Sequence, residues 1–203
     1  MDVFKDEGRP IPLTQERLVL RPKLTSYGLG LWVAVWLSLG SLYTGVGLII
    51  YEPDQIGYIL LALVVGVALL ALVVLTFFNR TVLDADGVHL HAYGRSRDVP
   101  WPTSRTSLFA RVTFGKHLKS VDVHMVLPDG TAMPLLGLSW TGQWPPPLEA
   151  AAVIQCSRIW SWAVARGYTR ETHEYIPLSG ATWKVQQGLR ESQERRFGLR
   201  WTA

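Results

Sequence analysis

Two long runs without a charged side chain dominate the pattern of apolar and polar positions. No Asp, Glu, Lys or Arg occurs from Leu24 to Tyr51 or from Gln55 to Asn79. A helix needs about 20 apolar residues to cross a hydrocarbon core of about 30 Å, and each run is long enough. The pattern predicts a transmembrane hairpin within residues 24–79, with spans over about residues 27–51 and 56–78.

From Arg80 the apolar positions alternate in short runs that turn residues separate, which is typical of an antiparallel sheet. The tetrapeptide Asp84–Gly87 and the tripeptide Pro128–Gly130 are the strongest turns, and Gly87 supplies a positive φ in the first. The strands are predicted over residues 81–83, 88–92, 97–99, 107–114, 120–127 and 131–136.

A loop containing Trp140 and Trp144 is expected after the strands, and then one amphipathic helix from Leu148 to Arg166. Cys156 and Trp160 fall on its apolar face, which should cover the open end of the sheet. The predicted fold class is therefore a membrane protein whose hairpin precedes an α+β domain, residues 80–168, of six or seven antiparallel strands capped by one C-terminal helix.

The chain outside these two parts is more polar. An N-terminal arm, residues 1–23, contains the alternating segment Arg17–Arg21, a short strand expected to join the sheet edge. The tail, residues 169–203, is expected to hold an amphipathic helix over 180–196 that Gly198 ends. The tail either docks on a partner or folds back on its own domain or the membrane, and the candidate partner contacts are Trp183, Leu189, Phe197 and Trp201.

Lys and Arg avoid the link between the spans, which is Glu52–Asp54. They flank the hairpin instead, at Arg9, Arg17, Arg21 and Lys23 before it and at Arg80, Arg95 and Arg97 after it. Positive charge stays on the cytoplasmic side, so a multi-pass protein of the cell membrane is expected, with both termini cytoplasmic. The single cysteine, Cys156, suits a reducing compartment.

Small residues in the spans let helix backbones approach closely. Gly40 in the first span and Gly66 in the second are candidate contacts, either within the hairpin or with other integral membrane proteins.

The soluble part resembles a bacterial family of pleckstrin-homology (PH) domains that is typical of actinobacterial membrane proteins. The residues that carry the resemblance are Asp86–Val88, Arg97, Val99–Trp101 and Asp129–Gly130, within residues 80–168. The resemblance implies a PH-like barrel after a two-helix hairpin, a non-catalytic role and no catalytic residues. It also implies that Trp101 packs into the barrel, so Trp101, Trp160, Gly87 and Gly130 are interpreted as structural.

Catalytic and metal-binding patterns are weak in this sequence. His89 and His91 share a strand face but have no third ligand at a suitable spacing, and they are interpreted as solvent-facing. Asp84 and Asp86 imitate the start of a calcium loop, but the glycine comes too early and no Glu closes the loop. No nucleophile elbow or phosphate loop occurs. We expect no enzyme activity, metal, cofactor, nucleic-acid partner or small-molecule substrate.

Anionic lipid is a second expected partner, through Arg111, Lys116 and Lys119. The first hairpin loop is acidic, which argues against inositide binding at that loop. The leading hypothesis is an accessory or scaffold subunit of a larger respiratory, secretion or envelope-synthesis complex in the membrane. The alternative is a membrane-anchored sensor whose PH-like domain binds anionic headgroups or a peptide.

Overall fold

The computed structural model describes residues 9–22, 28–51, 54–114, 119–179 and 184–198. The chain forms two compact units. The hairpin unit comprises Pro22–Asn79 with His91–Arg95, and the sheet unit comprises Met1–Arg21, Arg80–Leu90 and Ser96–Ala203.

The hairpin unit contains two helices, α1 (Gly28–Tyr51) and α2 (Ile56–Phe77). Both are long and apolar enough to cross a membrane. They run antiparallel, because Ser38 Oγ donates to the Gly66 carbonyl at 2.9 Å and Ser41 Oγ donates to the Ala62 carbonyl at 2.7 Å. These two hydroxyls bond across the helix pair rather than pointing away from it.

The sheet unit contains two sheets with consecutive strands as neighbours. The four-stranded sheet consists of β1 (Leu18–Leu20), β2 (Arg80–Asp84), β3 (Gly87–Ala92) and β4 (Arg95–Val99). The three-stranded sheet consists of β5 (Leu108–Phe114), β6 (Lys119–Val126) and β7 (Ala132–Gly142). A single turn of 3-10 helix, Arg105–Ser107, leads into β5.

The hairpin is inserted between two strands that pair with each other. β1 and β2 are antiparallel, with Leu20 opposite Thr81 and Leu18 opposite Leu83. The prediction that the segment Arg17–Arg21 joins the sheet edge is confirmed. The chain therefore leaves the four-stranded sheet at the end of β1, forms the hairpin, and returns as β2, the strand next to β1.

Strand β7 is longer than predicted and includes Trp140, so the expectation of a loop at this tryptophan is wrong. Gly137, with φ +94°, lets the strand continue through an irregularity, and the β6–β7 register shifts between Asp122 and His124. A Cβ at Gly137 would lie 2.8 Å from the Arg21 backbone nitrogen, so the glycine also permits a close chain approach.

Helix α3 (Pro145–Ala165) packs against the three-stranded sheet. It begins three residues earlier than predicted, because prolines are tolerated in the first turn. It ends at Ala165, and Gly167 lies just after it with φ +72°, as expected for a residue that terminates a helix. Its buried face, including Cys156, Ile159 and Trp160, joins the main core with side chains from both sheets.

Helix α4 (Lys184–Arg196) follows an extended segment, and Gly198 after it has φ +64°. The predicted start of this helix at Gly180 lies outside the described residues.

Candidate functional site

The inner face of α4 makes an extensive polar contact with the rest of the sheet unit. Arg190 is 1% exposed, and its guanidinium donates to Glu194 Oε1 at 2.9 Å, to the Ile176 carbonyl at 2.7 Å and to the Thr106 carbonyl. It also lies 4.5 Å from the ring centroid of Tyr175. A buried cation held by a carboxylate, two carbonyls and an aromatic ring fixes α4 against the end of β5.

Gln193, one turn further along α4, bonds to the backbone of edge strand β5. Its amide oxygen accepts from Ala110 N–H at 3.3 Å, and its amide nitrogen donates to the Ala110 carbonyl at 3.4 Å. The same amide nitrogen donates to Glu149 Oε1 on α3 at 2.8 Å. The side chain therefore satisfies backbone groups that a neighbouring strand would otherwise pair, and α4 covers this sheet edge.

The candidate partner residues of the tail fall in different settings. Leu189 is 39% exposed, whereas Phe197 is half-buried and packs against the main core of the sheet unit. Trp183 and Trp201 lie outside the described residues. The tail helix folds back on its own domain, which is one of the two arrangements left open by the sequence. Nothing local in the sequence marks Arg190 or Gln193, because their partners are distant in the chain.

Gly66 faces the other helix of the hairpin, whereas Gly40 faces away from it. A Cβ at Gly66 would lie 2.7 Å from Leu42 Cγ, so this glycine is used within the hairpin and is not an outward contact. A Cβ at Gly40 would meet nothing within 4 Å. The exposed aromatic rings of Trp36 and Tyr43 lie one helical turn on either side of Gly40. Of the two candidates, only Gly40 lies on an uncovered face.

The two candidate lipid contacts within the described residues, Arg111 and Lys119, lie on opposite faces of their sheet. Arg111 on β5 lies opposite Asp122, and Lys119 on β6 lies opposite Phe114. Because side chains alternate along a strand, Lys119 shares the face of the buried Val121, and Arg111 is on the other face. Lys116 lies outside the described residues.

His89 does not face water as expected. Its Nδ1 lies 2.7 Å from Asp98 Oδ1, its Nε2 lies 3.0 Å from Asp84 Oδ1, and its side chain is 21% exposed. The hydrogen bond to Asp98 is the largest of the effects that raise the pKa of His89. The interaction links three strands, with Asp84 on β2, His89 on β3 and Asp98 on β4. Sequence spacing alone did not indicate this bridge.

The residues interpreted as structural occupy constrained positions. Trp101 Nε1 donates to the Asp84 carbonyl at 2.7 Å, and its ring packs partly against the core. Trp160 is 6% exposed in that core. Gly87 and Gly130 have φ values of +143° and +78°, and a Cβ at Gly87 would collide with the Val99 carbonyl oxygen.

Reactive groups in the described residues are few. Cys156 is fully buried, and burial raises the pKa of its thiol to about 11, so the thiolate is scarce at neutral pH. Within the described ranges, no three His, Cys, Asp or Glu side chains are arranged to hold a metal ion.

Comparison with models of known protein families, with curated proteins and with solved structures finds no match to this chain.

Proposed function

We propose that this protein is a non-enzymatic accessory or scaffold subunit of a larger membrane protein complex, with a hairpin that anchors a cytoplasmic interaction domain. The observation that carries the proposal is the insertion of the hairpin between the paired strands β1 and β2. Anchor and domain share two covalent connections rather than one flexible linker, an arrangement suited to holding a domain close to a membrane assembly.

The domain is proposed to be PH-like. A four-stranded sheet, a three-stranded sheet and a following helix that packs on the second sheet support this proposal. Trp101 also packs partly against the core, as the resemblance implies.

The topology is proposed to place both ends of the hairpin on the cytoplasmic side. The pairing of Leu20 with Thr81 supports a common side for the two ends, because the flanking strands are neighbours. The link Glu52–Asp54 contains no Lys or Arg, whereas both flanks of the hairpin are basic, and this distribution supports the cytoplasmic orientation.

A scaffold is favoured over a sensor of anionic headgroups. Arg111 and Lys119 lie on opposite faces of their sheet by register, and Arg111 lies opposite an aspartate. A polyanionic headgroup would need cations that converge on one point.

The scaffold function is tested by extraction in a mild detergent followed by affinity purification. Stoichiometric co-purification of integral membrane proteins is expected from the wild-type chain. Gly40→Leu should reduce that recovery, because it fills an uncovered helix face without meeting the protein's own atoms. Gly57→Leu on α2, where a Cβ also meets nothing within 4 Å, is the matched control, and it should leave recovery unchanged if the partner docks on the α1 face that carries Gly40. A lone monomer from wild type in gentle detergent would refute the scaffold.

The topology is tested by labelling intact cells with an impermeant thiol reagent. Native Cys156 is fully buried, so it stays unlabelled on either side and is replaced by alanine. A cysteine at exposed Gln55 should then react, and a cysteine at exposed Ser96 should not. The reverse pattern would place the sheet unit outside the cell.

A further inference from the structure

The end of α2 carries two exposed aromatic rings. Phe77 is the last residue of the helix, Phe78 follows it, and both side chains are exposed. The 22 residues of α2 include no charged side chain. At about 1.5 Å per residue they span about 33 Å, slightly more than a hydrocarbon core of about 30 Å. A helix of this length that crosses a membrane from Ile56 therefore reaches the headgroups at Phe77.

The turn between β3 and β4 is fixed to this end of α2. The turn consists of Tyr93 and Gly94, and it belongs to the hairpin unit. The backbone N–H of Tyr93 donates to Asn79 Oδ1 at 2.8 Å. Asn79 is buried and lies two residues beyond Phe77, so the turn is held at the level where α2 ends.

Tyr93 occupies a backbone position that tyrosine does not favour. Its φ is +49° and that of Gly94 is +77°, and two-residue hairpin turns with two positive φ values favour Asn followed by Gly. A bulky side chain in this conformation is strained. The Tyr93 side chain is 61% exposed, so packing against the chain's own atoms offsets little of that strain. A strained residue with an exposed ring is typical of a binding position.

Arg95 adds a positive charge directly after the turn. Of the Asp, Glu, Lys and Arg residues described in the hairpin unit, it is the only one at this end, and Asp54 lies at the other end of α2. Arg95 is exposed and makes no ion pair within the described residues. A single arginine suits a headgroup with one negative charge rather than a polyanionic one.

We propose that the turn Tyr93–Arg95 binds anionic phospholipid at the membrane surface, with the Tyr93 ring among the headgroups and the Arg95 guanidinium on a lipid phosphate. Tyrosine suits this depth, because its ring is apolar and its hydroxyl is polar. The inference rests on the membrane insertion proposed for the hairpin, and it adds a lipid partner to that function.

The position of the turn is tested with the full chain in nanodiscs of equimolar phosphatidylglycerol and phosphatidylcholine. A benzophenone amino acid in place of Tyr93 keeps an aromatic side chain, and after irradiation mass spectrometry should find phospholipid adducts at this position. The same amino acid at Val67, which is exposed on α2, is the positive control for insertion of the hairpin. At Ala85, in the exposed turn at the other end of β3, it should give no lipid adduct.

The roles of the two side chains are tested by hydrogen exchange of peptides covering residues 91–95. Protection should be higher in nanodiscs that contain phosphatidylglycerol than in phosphatidylcholine alone. Arg95→Gln should lower it about fivefold in the anionic nanodiscs and leave it unchanged in the neutral ones, as expected from about 1 kcal/mol per basic residue near an anionic surface. Arg170→Gln, at an exposed arginine of the sheet unit, is the matched control and should change neither value.

Tyr93→Asn separates lipid binding from a structural role of the tyrosine. Asparagine favours the positive φ of this turn, so the variant should melt in detergent at least as high as wild type. It should nevertheless lose protection in the anionic nanodiscs, because the ring is gone. Protection equal to that of wild type would overturn the role of the ring.

The remaining outcomes distinguish this inference from the function on which it rests. Lipid adducts at Val67 but not at position 93 would overturn the inference and leave the membrane anchor intact. Their absence at Val67 would overturn the anchor as well. Equal labelling of the two phospholipids at position 93 would overturn the preference for anionic lipid. Cross-linking of position 93 to a protein rather than to lipid in native membranes would identify the turn as a protein interface instead.

Discussion

Replacing Arg190 by methionine is expected to release α4 from the sheet unit. Methionine keeps an unbranched apolar stem, so the change removes the charge and its hydrogen bonds more than it removes volume. The Arg190 side chain is fully buried, and the Glu194 side chain that it pairs with is 5% exposed. Without the cation, the Glu194 carboxylate and the Thr106 and Ile176 carbonyls lose a donor where water has little access.

The magnitude follows from the burial of this pair. Removing one partner of a buried ion pair costs about 3–5 kcal/mol. The half-exposed salt bridge between Arg196 and Glu149 contributes at most about 1 kcal/mol to docking. Gln193 adds two long hydrogen bonds to Ala110, at 3.3 Å and 3.4 Å, and one to Glu149 Oε1 at 2.8 Å, and these remain when Arg190 is replaced. The docking equilibrium of α4 should therefore shift toward the released state by a factor of about a hundred to a few thousand.

Hydrogen exchange measured by mass spectrometry on the full chain in nanodiscs checks this expectation. Peptides covering α4 should exchange faster in Arg190→Met than in wild type, and the Ala110 amide should follow, because Gln193 withdraws with the helix. Arg195→Met, at an exposed arginine on the same helix, is the matched control. Equal protection of α4 in Arg190→Met and wild type would show that other contacts hold the helix and that the buried pair is dispensable.

Three further perturbations address the core, the strand bridge and the hairpin. Trp101→Ala should lower the free energy of unfolding by about 2–4 kcal/mol, because the indole packs on the core and donates to a carbonyl; an unchanged denaturation midpoint would place the ring outside the core. The pKa of His89 is raised above 6.5, chiefly by Asp98, so its contribution to stability is complete at pH below 6.5 and is lost as pH rises through the folded-state pKa. Midpoints of unfolding, measured at pH values across that window, should fall with rising pH in wild type and should fall less in His89→Asn. Equal pH dependence in the two proteins would contradict the bridge between His89 and its two aspartates. Gly66→Leu should lower the melting temperature in detergent, because the new side chain meets Leu42, whereas Gly40→Leu should not; equal melting would contradict the close helix approach at Gly66.

The sequence was sufficient for features that local pattern determines. The uncharged runs predicted α1 and α2, and the turn residues around Gly87 and Pro128–Gly130 predicted most strand boundaries. Even the pairing of β1 was accessible, since the alternation at Arg17–Arg21 indicated a strand. In each case the signal and the structure it specifies involve the same few residues.

Features that depend on distant partners were not accessible. The extension of β7 depends on Gly137 adopting a positive φ where another chain segment approaches, and one glycine does not indicate that in advance. The bridge from His89 to two aspartates requires the register of three strands. The anchoring of α4 requires Arg190 and Thr106, far apart in the chain, to meet. A polar residue of an amphipathic helix is expected to face water, and the sequence does not reveal the distant partners that bury it here.

The insertion of the hairpin has a consequence for how the sheet unit forms. Leu20 and Thr81 are partners in the β1–β2 ladder, and residues 21–80 lie between them. Closing a flexible loop of that length opposes pairing through chain entropy. The antiparallel packing of α1 and α2 brings the two ends of the hairpin together, and the backbone hydrogen bonds of each helix lie within that helix. The α1–α2 hairpin thus replaces the short turn of an ordinary β-hairpin, and completion of the sheet by β1 is coupled to formation of that hairpin.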